Sequence, residues 1–394
     1  MQSIVLKPEK EIPVKNKHHW IFSGGVKDQP RIFENGEIVE VYSSRKEFLG
    51  HAFLNKGTVI AARMVNFNRE NPLDSIRSNI VNAINFRANY FDNNNTNAYR
   101  LVNSEGDYLP GLTIDRYNNI AVVQISTTGM DRIKTLIVDA IKEAFKINEL
   151  DLKMIYEKST MSSRRVEGLP SSEGVLWGED ISSLRVIENG LTFEVDIKNS
   201  QKTGLFLDMR EMRKLVGDIS ANKKVLNCFS YTGGFSLYAA RGGALKVDSV
   251  DIAKDAVEDS KTNFKINELD ISNHGFYGED AFKFLDRESL DYDLVILDPP
   301  AFAKKKSDVE NAKKGYYQLN KIALSKMKSN SYLLTCSCSY HVRYDDFEKI
   351  IMKAVRDSGK SARIIQKQRL APDHPINLFN TEVDYLKSLL LFIH

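Results

Sequence analysis

Cys336 and Cys338, within Thr335-Cys336-Ser337-Cys338-Ser339, close a short apolar run downstream of Asp298-Pro299-Pro300. Thiols placed after a buried strand and near a carboxylate suit nucleophilic attack on a nucleic-acid base. A thiolate that adds to carbon 6 of a pyrimidine turns carbon 5 into an enamine carbon. That carbon takes up an electrophilic methyl group before elimination releases the thiol. Asp298 is expected to bond the ring edge and to help place a proton on N3 of a cytosine, offsetting the charge that develops on addition. Residues two apart in a strand share a face, so both thiols are expected at one crevice. Cys228, the third cysteine, reads as packing.

Alternating strands and helices must position these groups. Residues 223–229 read as a buried strand, 230–234 as a tight turn and 235–241 as a helix closed by Gly242-Gly243. Gly233 and Gly234 let a nucleotide-like molecule approach the backbone at the carboxyl end of that strand. A second strand, 246–250, ends in Asp251, placed to accept both ribose hydroxyls of an adenosine. A third is followed by Asp280, placed for the adenine amino group. The fourth strand, 293–298, delivers Asp298, and Pro299-Pro300 stiffens the chain beyond it because neither proline carries an N–H. The fifth, 331–335, delivers the cysteines. Such features at successive strand tips favour S-adenosylmethionine over NAD, since the G-x-G-x-x-G that seats a pyrophosphate is missing. The fold class expected is α/β, an open, doubly wound, Rossmann-like sheet.

The chain has 394 residues, 42% of them hydrophobic and 27% charged, enough for two or three packed domains. Three are expected. Short β-branched runs between glycine turns make 1–70 a small β-barrel. Helices at 76–91 and 130–145 and strands at 120–126 and 154–157 make 71–188 an α+β domain. Residues 189–394 carry the doubly wound sheet. The first residues lack the apolar core of a secretory signal, and no stretch approaches the ~18–20 apolar residues that span a bilayer. A cytoplasmic protein without membrane attachment is therefore expected. Three cysteines support neither a disulfide framework nor a four-ligand zinc site, so no metal is expected. A formal net charge of +3 decides nothing about nucleic acid. Local basic clusters are better candidates for phosphate contacts: Lys304, Lys305 and Lys306 with Lys313 and Lys314, the pair Arg164 and Arg165, and Lys17 beside His18, His19 and Trp20.

Four separated motifs, 201–210 (QKTGLFLDMR), 227–235 (NCFSYTGGF), 298–302 (DPPAF) and 335–339 (TCSCS), together resemble the bacterial 23S rRNA cytosine-5 methyltransferase I family. Residues 100–117 (RLVNSEGDYLPGLTIDRY) resemble its middle-domain signature, and the N-terminal β segment its PUA RNA-binding domain. The resemblance covers the whole chain. It implies a class I S-adenosylmethionine-dependent methyltransferase acting on 23S rRNA, as naked RNA or in a partly assembled large subunit. It implies that Lys202, Thr203, Phe206 and Asp208 border the methionine end of the cofactor. Asn227, Phe229, Ser230, Tyr231, Thr232, Gly233, Gly234, Asp251, Ile252, Glu279, Asp280, Asp298 and Pro299 would hold the rest, and Arg210 would anchor the 227–234 loop.

Better-known RNA cytosine-5 methylases carry a second cysteine directly after the aspartate-proline motif, whereas Pro300 and Ala301 follow here. A mechanism with thiols from one motif is implied. By register Cys336 resembles the usual nucleophile and is slightly favoured, although Cys338 lies nearer the mouth. Two other readings stay open: an RNA methylase acting on a base nitrogen, which needs no thiol, and a non-catalytic RNA-binding assembly factor. A homodimer is allowed but not specified.

Overall fold

The structure, a computed structural model, describes residues 1–394 except 201, 288, 289 and 304. Gln201 and Lys304, both singled out above, therefore lie outside the described residues. The rest packs into two compact units. The first holds Met1–Gly190, Val195–Leu207 and Pro372–Val383; the second holds Leu191–Glu194, Asp208–Ala371 and Asp384–His394. Contiguous boundaries at 70 and 188 do not describe this division, because 372–383 returns to the first unit. A buried guanidinium explains the return. Arg87 donates to both carboxylate oxygens of Asp107 at 2.7 and 2.8 Å and to the carbonyl of Asp373 at 2.9 Å. The Asp373 carboxylate accepts the Arg100 backbone N–H at 2.9 Å. Removing any partner would leave a buried charge unmatched.

In the first unit, a six-stranded sheet runs in the order Trp20–Phe22, Ile60–Asn66, Phe48–Leu54, Glu37–Tyr42, Ser3–Leu6, Val26–Asp28. Alternation along the strands sends Ile4 and Leu6, Val39 and Val41, and Ala62 and Met64 into one apolar cluster. A five-stranded sheet follows, ordered Ser172–Gly178, Met154–Ser159, Ile120–Ile125, Leu112–Tyr117, Ala98–Asn103. The helix expected at 76–91 starts earlier, as Pro72–Tyr90. Pro72 occupies its first turn, and the Asn71 side chain caps it by accepting the Leu73 N–H. The helix expected at 130–145 is interrupted at Ile133 and becomes Thr128–Arg132 and Lys134–Ile147.

The second unit is built on seven strands: β1 (Lys224–Cys228), β2 (Lys246–Asp251), β3 (Gly275–Gly278), β4 (Leu294–Leu297), β5 (Ser331–Ser337), β6 (Ala362–Gln368) and β7 (Lys387–Ile393). Their spatial order is β3-β2-β1-β4-β5-β7-β6. The first five are mutually parallel, and β7 runs antiparallel to both β5 and β6. The chain reverses between β1 and β4, so ligands are expected outside the carboxyl ends of those strands. Parallel strands covered on both faces read as unbroken apolar runs, which accounts for the fully buried Leu294–Leu297.

Among the described residues six α-helices complete the unit: α1 (Arg210–Ile219), α2 (Gly234–Arg241), α3 (Lys254–Ile266), α4 (Ala281–Leu285), α5 (Val309–Lys326) and α6 (Tyr344–Asp357). Phe347, Ile350, Ile351 and Ala354 form the buried stripe of α6. Phe347 meets Tyr316 of α5 edge-on, with ring centroids 5.5 Å apart. No helix among the described residues is long and apolar enough to cross a membrane.

Phe347 has no exposed surface, whereas Met352 on the same helix is 66% exposed. Phe347→Ala is expected to destabilise the second unit by about 3–5 kcal/mol, and Met352→Ala by no more than about 0.5 kcal/mol. Urea unfolding followed by near-UV circular dichroism measures both.

Candidate active site

Strand register brings the separated motifs to one edge. Cys228 at the end of β1 pairs with Val250 on one side and Leu297 on the other; Val250 pairs with Tyr277, and Leu297 with Thr335. The next residues outward on each strand are therefore Phe229, Asp251, Gly278, Asp298 and Cys336.

The turn after β1 takes up left-handed backbone at Phe229 (φ 61°), Tyr231 (φ 48°) and Gly233 (φ 80°). A Cβ on Gly233 would lie 2.0 Å from the Ser260 hydroxyl, so glycine is required there by both space and conformation. Asp251 fastens the turn from the neighbouring strand: its carboxylate accepts the Tyr231 N–H at 2.8 Å and the Ala253 N–H at 2.9 Å. Each oxygen keeps lone-pair capacity for a ribose hydroxyl. Asn227 donates to Ser236 at 2.9 Å, and the carbonyl of Thr232 accepts from Asn263 at 2.9 Å. The side-chain oxygens of Asn227 and Ser230 are buried without hydrogen-bond partners among the described residues. Leaving such atoms unmet is costly, and a polar ligand in this crevice fits them. Ile252 is 71% exposed just beyond Asp251, an apolar surface suited to an adenine face. Asp280 caps α4 by accepting the Lys283 N–H at 3.0 Å through one carboxylate oxygen. Glu279 pairs with Arg287 at 2.5 Å.

Asp298 is half-buried at the end of β4, and Pro299 is buried beside it. The two thiols part company. Cys336 is fully buried in β5, opposite Ser388 of β7. Burial, with added repulsion from Asp298, Cys338 and Asp208, pushes its thiol well above the usual range. Cys338 follows the end of β5, half-buried, with Sγ 3.9 Å from the Pro299 carbonyl. The two thiols expected at one crevice thus differ in access: Cys336 is fully buried and Cys338 half-buried. β5 continues two residues beyond 335, paired there with β7, and Cys336 is buried within it. Cys228 is buried as expected, its thiol raised by burial alone.

Residues that the sequence reading missed hold this edge in place. The Ser339 hydroxyl accepts the Ala303 N–H at 3.1 Å and bonds the Tyr316 hydroxyl at 2.8 Å, tying the loop after Asp298 to the loop after Cys338. Tyr385 donates to the buried carboxylate of Asp208 at 2.5 Å. Lys387 opens β7 opposite Ser337. Its sequence signal is a lysine heading an otherwise apolar strand, in a position that becomes buried.

The remaining candidates fall elsewhere. Lys202, Thr203 and Phe206 belong to the first unit. There Thr203 donates to Asp115 at 2.7 Å and bonds Tyr117 at 3.0 Å, which joins the 201–210 motif to the 100–117 motif. Lys202 lies over the Phe206 ring, 4.3 Å from its centroid. Arg164 is corrected as an RNA contact: it is buried, donating to the carbonyls of Pro170 (2.7 Å) and Ile125 (2.8 Å) and to Asp131 (3.0 Å). Its neighbour Arg165 is exposed, as are Lys17, Lys305 and Lys306. Lys313 is already paired with Glu310 at 3.2 Å and Asp346 at 3.6 Å. No cluster able to hold a metal ion occurs among the described residues.

Comparison with known proteins places this geometry. A family model described as S-adenosylmethionine-dependent methyltransferase matches residues 164–347, and one described as PUA-like domain matches 4–67. Curated relatives called ribosomal RNA large subunit methyltransferase I include those of Alteromonas mediterranea, 36% identical over 98% of this chain and 97% of the relative. Those of Vibrio vulnificus are 38% identical over 98% of each chain. Among solved structures, a Streptococcus mutans protein described as a SAM-dependent methyltransferase superposes with TM-score 0.83 at 26% identity, covering 99% of this chain and 100% of that one. A methyltransferase complexed with SAH superposes with TM-score 0.85 at 26% identity over 99% and 100% of the two chains. The cofactor is thus S-adenosylmethionine, and the loop and strand tips around Gly233, Asp251 and Asp280 lie inside the matched methyltransferase region.

Asp251→Ala removes charge-assisted hydrogen bonds worth about 1.5–3 kcal/mol and is expected to weaken S-adenosylhomocysteine binding roughly 10–100-fold. Asp255→Ala, on the exposed start of α3, serves as control. Titration calorimetry reads both, and equal affinities would remove Asp251 from the site.

Proposed function

Because the chain belongs to the ribosomal RNA large subunit methyltransferase I family, we propose that it methylates carbon 5 of a cytosine in 23S ribosomal RNA, with Cys338 as the attacking thiol. The observation that carries this reading is the partly open Cys338 Sγ beside the Asp298-Pro299 strand tip, 3.9 Å from the Pro299 carbonyl. Enzymes that methylate a base nitrogen have no use for a thiol there. With ribosomal RNA as substrate, the enzyme acts in the cytoplasm.

S-adenosylmethionine, when bound, supplies an electrophilic methyl group. The chain's own residues make the cytosine reactive toward it. The Cys338 thiolate forms a bond to carbon 6, and the electron pair of the 5,6 double bond moves toward carbon 5. Asp298 bonds the ring edge and supports protonation of N3, so that negative charge does not accumulate on the base. Once carbon 5 is methylated, loss of its proton restores the double bond and expels the thiolate. The cofactor is held by the turn 229–234, by Asp251 and Ile252, and by Glu279 and Asp280, with Asn227, Asp298 and Pro299 lining its inner end. Asp208 borders its methionine end.

The PUA-like segment supplies RNA affinity, together with the exposed cations Lys17, Arg165, Lys305 and Lys306. Contacts of this kind are made to phosphates, so they position the RNA without selecting its sequence.

RNA containing 5-fluorocytosine cannot lose a proton from carbon 5 and is expected to remain covalently attached to the wild-type enzyme on a denaturing gel. Cys338→Ala is expected to abolish both the adduct and 5-methylcytosine formation, while Cys336→Ala retains them. Label on a base nitrogen, indifferent to Cys338, would move the function to nitrogen methylation. Lys305→Glu with Lys306→Glu is expected to weaken RNA binding and to flatten its salt dependence, by a slope of about 1 per lost phosphate contact. An unchanged slope would retire the basic loop as an RNA contact.

A further inference from the structure

Lys387 is a lysine with 4% of its surface exposed, at the start of β7 where the thiol-bearing chain leaves β5. Its Nζ donates to the carbonyl oxygens of Ser339 and Val342, both at 2.7 Å. Those two residues bracket the turn that follows Cys338, itself closed by the Val342 N–H on the Ser339 carbonyl at 3.1 Å. The ammonium thus grips the main chain that aims the thiol.

Its electrostatic setting is unusual. No carboxylate lies within ion-pair distance of Lys387 among the described residues; its partners are neutral carbonyls. A buried cation whose hydrogen-bond partners are dipoles favours an anion that can form nearby. Among the described residues, Cys336 in β5, Tyr316 of α5 and Lys387 of β7 interact electrostatically with Cys338; Asp298 after β4 and Asp208 before α1, the latter bonded by Tyr385, act on Cys336, and Asp384 acts on Lys387. The neighbouring carboxylates oppose an anion on this edge, whereas Lys387 supplies positive charge. Burial, the largest influence, lowers the Lys387 ammonium to about 8, against opposing pulls from Cys338 and Asp384. The charge is therefore present at neutral pH and lost as pH rises through about 8. A neutral amine still has two N–H groups for the two carbonyls, so the clamp outlasts the charge.

We propose that Lys387 is a positioning residue for Cys338: it fixes the 339–342 turn and holds a buried positive charge that stabilises the thiolate. This rests on the reading of Cys338 as the nucleophile.

The test is the pH dependence of Cys338 alkylation by iodoacetamide in the full chain without RNA, read by peptide mass spectrometry, with buried Cys228 and Cys336 as internal references. In the wild type the rate is expected to reach half its maximum below the ordinary thiol value of about 8.5. Lys387→Met is expected to raise that midpoint by about one unit and to slow alkylation about tenfold at pH 7; Lys387→Arg, which keeps the charge, is expected to restore it. A purely structural lysine would change the plateau rate and leave the midpoint in place, which would overturn the proposal. A wild-type midpoint at or above about 8.5 would overturn it without any variant. Fluorocytosine trapping reports separately on whether Cys338 attacks the base. Failure of the trap with a shifted midpoint would sink the nucleophile reading, and a working trap with an unshifted midpoint would sink the role of Lys387.

Discussion

The main-chain pairing of β5, parallel to β4 on one side and antiparallel to β7 on the other, is the constraint on which the chemistry of this protein depends. Hydrogen bonding on both edges holds the strand as far as Thr335, and pairing with β7 alone carries it on to Ser337, so that Cys338 is the first side chain free of the ladder. The side-chain alternation of a strand gives both cysteines the same facing, but facing is not access. What separates them is how far β7 covers the strand.

The β4 tip answers this arrangement from the opposite side. Pro299 and Pro300 have no N–H with which to extend pairing, so the chain turns away as soon as Asp298 has been presented. The loop that departs there and the loop that departs after Cys338 meet at one buried hydroxyl, Ser339. The distance between carboxylate and thiol is thereby set by a side chain that touches neither reacting group. The proposed covalent addition would demand precision of this kind, with the thiol meeting one ring carbon and the carboxylate the ring edge.

Much of the second unit was legible because its signals are local: an apolar run such as Leu294–Leu297 followed by Asp-Pro-Pro, or a strand followed by Tyr231-Thr232-Gly233-Gly234, states its own structure. The helix ends were less so. Asn71 and Pro72 do announce a helix start, yet apolar periodicity alone places it at Ile76, because the first turn carries little of the buried stripe. Arg164 failed for a related reason. Two adjacent arginines look like a surface patch, but carbonyls of Ile125 and Pro170, remote or irregular in sequence, claim one of them for the interior. Lys387, Ser339 and Tyr385 were invisible as site residues since each acts through partners that only the tertiary structure supplies. The separate thiols illustrate the limit most plainly: identical residues two positions apart differ in chemistry because of a strand that follows them by some fifty residues.

That strand has a further consequence for how the protein is made. After β6 the chain leaves the sheet, contributes Pro372–Val383 to the first unit and only then returns as β7, threaded between β5 and β6. During synthesis the five parallel strands emerge first, and the crevice they form is complete before the thiol loop has its cover. β6 is therefore synthesised before the strand that pairs with it, and the residues that cover the end of β5 come after the chain has contributed to both units.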